Sequence, residues 1–402
     1  MKKVLPIIMM ILSLSCSCSA KNTRGIKVSA NSQVTQNNQT LVMSDDDRQC
    51  VDKNNALTFT LLNKQSKKDP YKSFTFSPLS VSCALAMASN GASAATLQEI
   101  EALTGPSAKA NSFYGRYVAY FSPSVVMSNY LVINKNFIIN QDFIKSIEGN
   151  YNAQMSNLDF GTTDATRQIN DWIKQQSNGE FDDIIKQTNV NELVYLINYL
   201  KFKALWKNPF DKSLTHDMDF SNDDGITTQV PTMFQYFREL YYENDKCQAI
   251  SMKYDNSEFR MLIVLPKNMK INNFVETMNA GEFNRIISSL KATSSVIDLN
   301  LPRFSTTCNL DLQEMLMTLM PTAFNENANF SRLSNAESYI NRFTQDTKIT
   351  VNEYGTEASG VTVQSFIVKA MHSQFTANHP FLYFVYDEYT HAILLAGQFC
   401  GD

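Results

Sequence analysis

A chain of 402 residues with 44% hydrophobic content can bury a large core, as one big domain or two smaller ones. A formal net charge of −4 and a pI near 5.7 exclude the basic footprint of a nucleic-acid binder. Beyond the N-terminus no apolar run reaches membrane-spanning length, and the seven cysteines include no C-x-x-C pair outside the first twenty residues and no zinc spacing.

Lys2-Lys3, the apolar run Val4–Leu14 and the small-residue stretch Ser15–Ala20 predict a secretion leader over residues 1–20, to be set aside in fold reasoning. Two endings compete. Leu12-Ser13-Leu14-Ser15-Cys16 resembles a relaxed bacterial lipobox with Cys16 acylated, although Ser13 stands where a leucine is usual, which keeps Cys18 open. Alternatively, Cys18-Ser19-Ala20 is a plain cleavage site and the protein is released. The lipoprotein ending is preferred, giving an exported outer-membrane or cell-surface protein of a bacterium, with a secreted extracellular form as the alternative. Residues 21–44, rich in Asn, Gln, Ser and Thr, have the composition of a flexible tether.

Residues 45–402 form one continuous globular pattern with no internal repeat. Leu57, Leu61 and Leu62 mark a helix over Asn54–Lys64, Phe74-Thr75-Phe76 a short strand broken by Ser77-Pro78, and Leu79–Asn90 a helix ending at Gly91. Asn129–Ile139 reads as a strand and Phe143–Tyr151 as a short helix. Leu193–Leu205 is almost unbroken apolar, as a strand buried on both faces should be. Ala249–Tyr254 and Phe259–Pro266 flank Asp255-Asn256-Ser257 as a hairpin, and Phe381–Tyr386 and His391–Phe399 close the chain as strands. Cys50, Cys83, Cys247, Cys308 and Cys400 read mostly as free, buried apolar residues, with one disulfide possible but not indicated.

The stretch that organises the rest is Val351–Val363. Thr356, Ala358, Gly360 and Thr362 fall at period two and all are small, so this face could slide between two existing strands. Phe366-Ile367-Val368 beside Lys369 is an aggregation liability in a permanently exposed loop, but not in one destined to become a strand. A buried strand with a polar start is the plainer alternative.

Glu353-Tyr354-Gly355-Thr356-Glu357-Ala358-Ser359-Gly360, followed by His379-Pro380-Phe381-Leu382, resembles the hinge of the serpins. Phe76-Ser77-Pro78-Leu79-Ser80, the Leu196–Lys203 strand with Trp206, and Leu301-Pro302-Arg303-Phe304 resemble the same family, over roughly Asp45 to Asp402. The resemblance implies an α+β fold of three β-sheets with eight to nine helices and an exposed reactive-centre loop. It implies a hinge at Glu353, Gly355, Thr356, Glu357, Ala358, Ser359, Gly360 and Thr362. The family's spacing, counted from Gly355 and back from Pro380, implies a reactive bond at Lys369–Ala370, with Phe366, Ile367 and Val368 as secondary cleavage candidates. It places Ser77, Ser80, Asn198 and Gln345 at the gate where the central sheet parts, and Trp206 where the loop first enters. Gln345 stands where the family usually has a buried histidine; since Gln both donates and accepts, the gate can be wired differently.

No G-x-S-x-G, H-E-x-x-H, P-loop or G-x-G-x-x-G motif occurs, and His216, His372, His379 and His391 lie far from any nucleophile motif. The reading is therefore a non-enzyme: an inhibitory serpin with no cofactor and no metal. Its partners are serine (or cysteine) proteases, trypsin-like first because of Lys369, with elastase-like or chymotrypsin-like targets through Phe366–Val368. Only Arg116 is basic in Phe113–Ser124, which implies no heparin activation. A monomer is expected, touching membrane only through an N-terminal lipid. The rivals are a non-inhibitory serpin acting as carrier or chaperone, and a nutrient-binding lipoprotein of another fold.

Overall fold

The computed structural model describes residues 5–14, 42–120, 124–292, 296–356 and 373–402. Among them nine α-helices surround three β-sheets. The largest sheet has the order β4 (Gln154–Leu158), β3 (Val125–Asn134), β5 (Val194–Phe202), β1 (Leu5–Leu14), β15 (Ser338–Asn352), β16 (Gly355–Thr356), β6 (Ala204–Leu205), with β14 (Phe304–Asp311) on the other edge of β15. A second sheet runs β12 (Lys291–Ala292), β9 (Leu240–Glu243), β10 (Cys247–Lys253), β11 (Phe259–Pro266), β18 (Phe381–Asp387), β19 (Ile393–Phe399), β2 (Phe74–Phe76). The third joins β17 (Ser373–Thr376), β13 (Ile297–Pro302), β8 (Thr227–Phe237) and β7 (His216–Ser221).

β5 is buried on both faces, and its alternation sorts its side chains into two cores. Val194, Leu196, Leu200 and Phe202 join the main core with α1 (Asp45–Lys68) and α2 (Pro78–Ser89). Tyr195, Ile197 and Tyr199 face a smaller core under the helix Thr163–Gln176, where Tyr130 stacks on Trp172 at 4.8 Å. α1 begins on a capping box, Ser44 and Asp47 each bonding the other's backbone.

Three expectations change. α1 is longer than Asn54–Lys64, because polar residues of its first turn are held by the capping box rather than by apolar periodicity. α2 ends at Ser89 with Asn90 as its cap; Gly91 is needed because a Cβ there would sit 2.9 Å from Leu333 Cβ. Leu5–Leu14, set aside as a leader, lies within the largest sheet as β1, parallel to both β5 and β15. A short uncharged apolar run suits a buried parallel strand as well as it suits a leader.

The cysteines Cys50, Cys83, Cys247, Cys308 and Cys400 are free, all buried but the half-buried Cys308. Burial pushes the Cys50 and Cys247 thiols up to about 11, so both stay protonated and inert.

Candidate functional site: a hinge and a gate in the central sheet

After β15 the chain reverses through Glu353-Tyr354, and Gly355–Thr356 return antiparallel to it as β16. Val351 faces Thr356, Asn352 faces Gly355, and the other edge of β16 pairs with Ala204–Leu205. The reversal needs glycine: Gly355 has φ +154°, and a Cβ there would lie 2.2 Å from the Ala204 carbonyl oxygen. Thr356 is fully buried, its hydroxyl 2.6 Å from the Tyr254 hydroxyl. The Tyr254 ring stacks on Trp206 at 4.4 Å. Trp206 Nε1 donates to the Asn352 carbonyl at 2.9 Å and its backbone N–H to the Tyr354 carbonyl at 2.8 Å. The turn is thus clamped from the β6 side.

Glu353 anchors the other side. It is buried, paired with the Arg303 guanidinium, and accepts from Thr215 Oγ1 at 2.8 Å. Burial alone would raise its pKa, but the Arg303 guanidinium, the backbone and Thr215 outweigh it and hold the carboxyl below its usual range. A depressed carboxylate contributes stability that is present above its unfolded value, ~4.3, and lost as pH falls through the lower folded one. The amides of Glu353–Thr356 are therefore expected to lose hydrogen-exchange protection below about pH 4 ahead of the strands around them. Arg303→Leu should produce the same loosening at neutral pH, at roughly 1–2 kcal/mol, since the 39% exposed guanidinium leaves the pair partly screened. Exchange equal to the parent's at both pH values would refute the anchor.

Lower in the sheet, Gln345 is fully buried and its amide both accepts from and donates to one residue: Oε1 accepts from Ser77 N–H at 2.9 Å and Nε2 donates to the Ser77 carbonyl at 3.0 Å. The Ser77 hydroxyl caps α2 through Ser80 N–H (3.2 Å) and donates to the Leu394 carbonyl at 2.8 Å. One glutamine thus ties β15 to the start of α2 and, through Ser77, to β19. Across the sheet, Asn198 Nδ2 donates to Asn129 Oδ1 at 2.7 Å, while its buried Oδ1 has no partner among the described residues. Asn198 and Gln345 do not meet, because Ile11 of β1 lies in register between them.

The predicted gate residues Ser77, Ser80 and Gln345 are therefore together, Asn198 stands one strand away, and Trp206 packs beside the turn at Glu353–Thr356. Glu357, Ala358, Ser359, Gly360 and Thr362, the cleavage candidates Phe366, Ile367 and Val368, the bond Lys369–Ala370, and Cys16 and Cys18 lie outside the described residues. Tyr254, Arg303 and Thr215 were not foreseen. The only signal in the sequence was indirect, since a buried Glu353 demands a cation. His379 bridges Asn378 and the Pro266 carbonyl as a structural residue.

A central sheet whose hinge turns back beside its longest strand is the arrangement expected from the family resemblance, and comparison with known proteins agrees. The family model described as Serpin (serine protease inhibitor) matches residues 52–401. This chain is a serpin. It is 29% identical over 364 residues to an uncharacterized serpin-like protein of Thermococcus kodakarensis, covering 86% of this chain and 84% of that one. It is 27% identical to Serpin B5 of Xenopus tropicalis, over 87% and 97% of the two chains. Among solved structures it resembles human thyroxine-binding globulin complexed with its ligand, with TM-score 0.79, 26% identity and coverage of 88% and 98%. The thermophilic serpin tengpin in its native state shares the fold at TM-score 0.80 and 24% identity, over 90% and 96%. Serpins are generally non-enzymatic inhibitors of proteases, though some members are not inhibitory.

Proposed function

We propose that this serpin is a suicide inhibitor of trypsin-like serine proteases. Lys369 enters the protease's specificity pocket, where its cationic end meets a carboxylate. The catalytic serine attacks the Lys369–Ala370 peptide, its oxygen bonds to the Lys369 carbonyl carbon, and Ala370 leaves as the new amino terminus. The freed loop then zips into the central sheet as a strand of about fourteen residues, spanning roughly 50 Å at ~3.4 Å per residue. A dozen or so new ladder bonds at ~0.5–1.5 kcal/mol each release on the order of 10 kcal/mol. That release displaces the acylated protease and distorts its oxyanion geometry before water can free it.

One observation carries this reading: the turn after β15 brings the chain back into the central sheet. Thr356 is paired and buried between β15 and β6, so the first residue past the pivot fits the slot, as an inhibitory hinge requires. Arg116 supports the expectation of no heparin activation, since it is engaged with buried Asp47 at 2.6 Å. Export of a monomer, with Cys16 or Cys18 acylated and the protein held at the cell surface, completes the proposal.

The test uses the protein purified after export and leader processing. Trypsin should form a complex that survives denaturing gel electrophoresis, and Lys369→Glu should slow its formation by about a thousandfold, since a pocket carboxylate then faces a like charge at a cost of ~4 kcal/mol. Clean cleavage with no complex, for trypsin and for elastase-like and chymotrypsin-like proteases alike, would favour a non-inhibitory serpin.

A further inference from the structure

The slot an inserting loop must fill is occupied. β1 runs between β5 and β15 for ten residues, Ile8–Leu14 in register with Tyr195–Lys201 and Leu5–Ser13 with Ser338–Thr347, a bulge intervening after Ile7. β5 and β15 do not pair with each other. The occupant is an uncharged stretch, L-P-I-I-M-M-I-L-S-L, and it crosses the gate with Ile11 opposite both Asn198 and Gln345.

We propose that Leu5–Leu14 is an autoinhibitory plug: while the leader is attached the serpin is cut as an ordinary substrate, and removal of the leader opens the slot for trapping. The inference rests on the inhibitory reading above and adds a control to it. β16 uses the same edge of β15 as β1 does, and only Lys348–Thr350 separates their pairings. Carried forward residue by residue, the hinge register would bring Gly360 opposite Thr347, where Ser13 sits. Insertion would therefore stall within one turn of the ladder past Thr356. The two strands also run in opposite senses, β1 parallel to β15 and the hinge antiparallel to it, so the plug cannot be shunted along its own hydrogen-bond register. It must be peeled out while the acyl-enzyme is being hydrolysed. Parallel pairing is somewhat weaker per residue than antiparallel, which fits a plug that is discarded rather than a permanent strand. Filled this way, the sheet also cannot swallow its own uncut loop before export, and a protease of the producing cell would escape capture.

The experiment compares the unprocessed 402-residue chain with the same chain carrying Met10→Pro and Leu12→Pro, which remove two strand donors, and with a second variant carrying Met10→Asp and Leu12→Asp. Each reacts with trypsin, and the exported, processed protein serves as the reference. The parent should yield about tenfold more cleaved product per complex than either variant, equivalent to ~1.4 kcal/mol between the competing barriers. Hydrogen exchange at Tyr195–Lys201 and Ser338–Thr347 should show that β1 has left the slot in the variants while α1 and α2 stay protected. If the processed protein traps trypsin and the unprocessed parent traps it equally well, the plug is refuted and the inhibitory reading stands. If no form traps any protease, both fall.

Discussion

Thr356→Arg is expected to turn the processed serpin from a trap into a substrate. Thr356 is fully buried, and its hydroxyl meets that of Tyr254, whose ring stacks on Trp206, at 2.6 Å. Arginine there must either carry an unpaired guanidinium into this apolar clamp, at several kcal/mol, or keep the hinge out of the sheet. Each ~1.4 kcal/mol added to the insertion barrier costs a factor of ten. A penalty of ~3 kcal/mol therefore slows insertion by roughly a hundredfold, enough for hydrolysis of the acyl-enzyme to win. Trypsin should cut the Lys369–Ala370 bond of the variant at the parental rate yet leave no gel-stable complex. Thr356→Ser, which keeps the hydroxyl and fits the space, should retain trapping. An arginine variant that captures trypsin as durably as the parent would refute insertion through Thr356 as the source of inhibition.

The hinge was legible because its constraint is local. A period-two run of small residues beside a glycine states its geometry within a few positions; of that run the described residues include Thr356, which pairs with Val351 next to Gly355. β5, buried on both faces, was legible for a similar reason, since a long apolar run carries its own signal, whereas the three sheets came from the family resemblance alone. The clamp was not. Tyr254 lies 102 positions from Thr356 and Arg303 lies 50 from Glu353, so nothing near the hinge names either partner. β1 was missed because Leu5–Leu14 satisfies the composition of a leader and of a buried strand equally. Composition cannot say which neighbour covers a hydrophobic stretch; the pairing of β1 with both β5 and β15 is a tertiary fact.

The hinge and the gate divide the work of one sheet. At the hinge the ion pair of Glu353 and Arg303 and the stack of Trp206 on Tyr254 hold the turn from which the proposed insertion would start. At the gate Gln345 holds β15 to the framework below while the neighbouring strand position is free to change hands, since its bonds run to Ser77 and not across to β5. Opening between β5 and β15 therefore leaves the Gln345 bonds intact. A gate residue shared between the two strands would have to break its bond whenever a third strand came in.

That arrangement makes Gln345 a stability residue with a pH signature that can be written in by one substitution. Gln345→Leu leaves the buried N–H of Ser77 without a partner and the Ser77 carbonyl with only its bond from Val81 N–H, and should lower stability by roughly 1–3 kcal/mol. Gln345→Glu is more informative. An ionised carboxylate still accepts from Ser77 N–H, but its second oxygen then faces the Ser77 carbonyl, two acceptors in contact inside the core. The protonated acid restores the donor and with it both bonds. Burial and that contact together raise the folded pKa of the introduced carboxyl above its unfolded value near ~4.3. A raised carboxyl contributes stability that is full below the unfolded value and lost as pH rises through the folded one. The glutamate variant should therefore approach parental thermal stability near about pH 4 and fall away from it toward neutral pH, while the leucine variant stays low throughout. Parallel stability curves for parent and Gln345→Glu between acid and neutral pH would show that the paired bonds to Ser77 do not hold the gate.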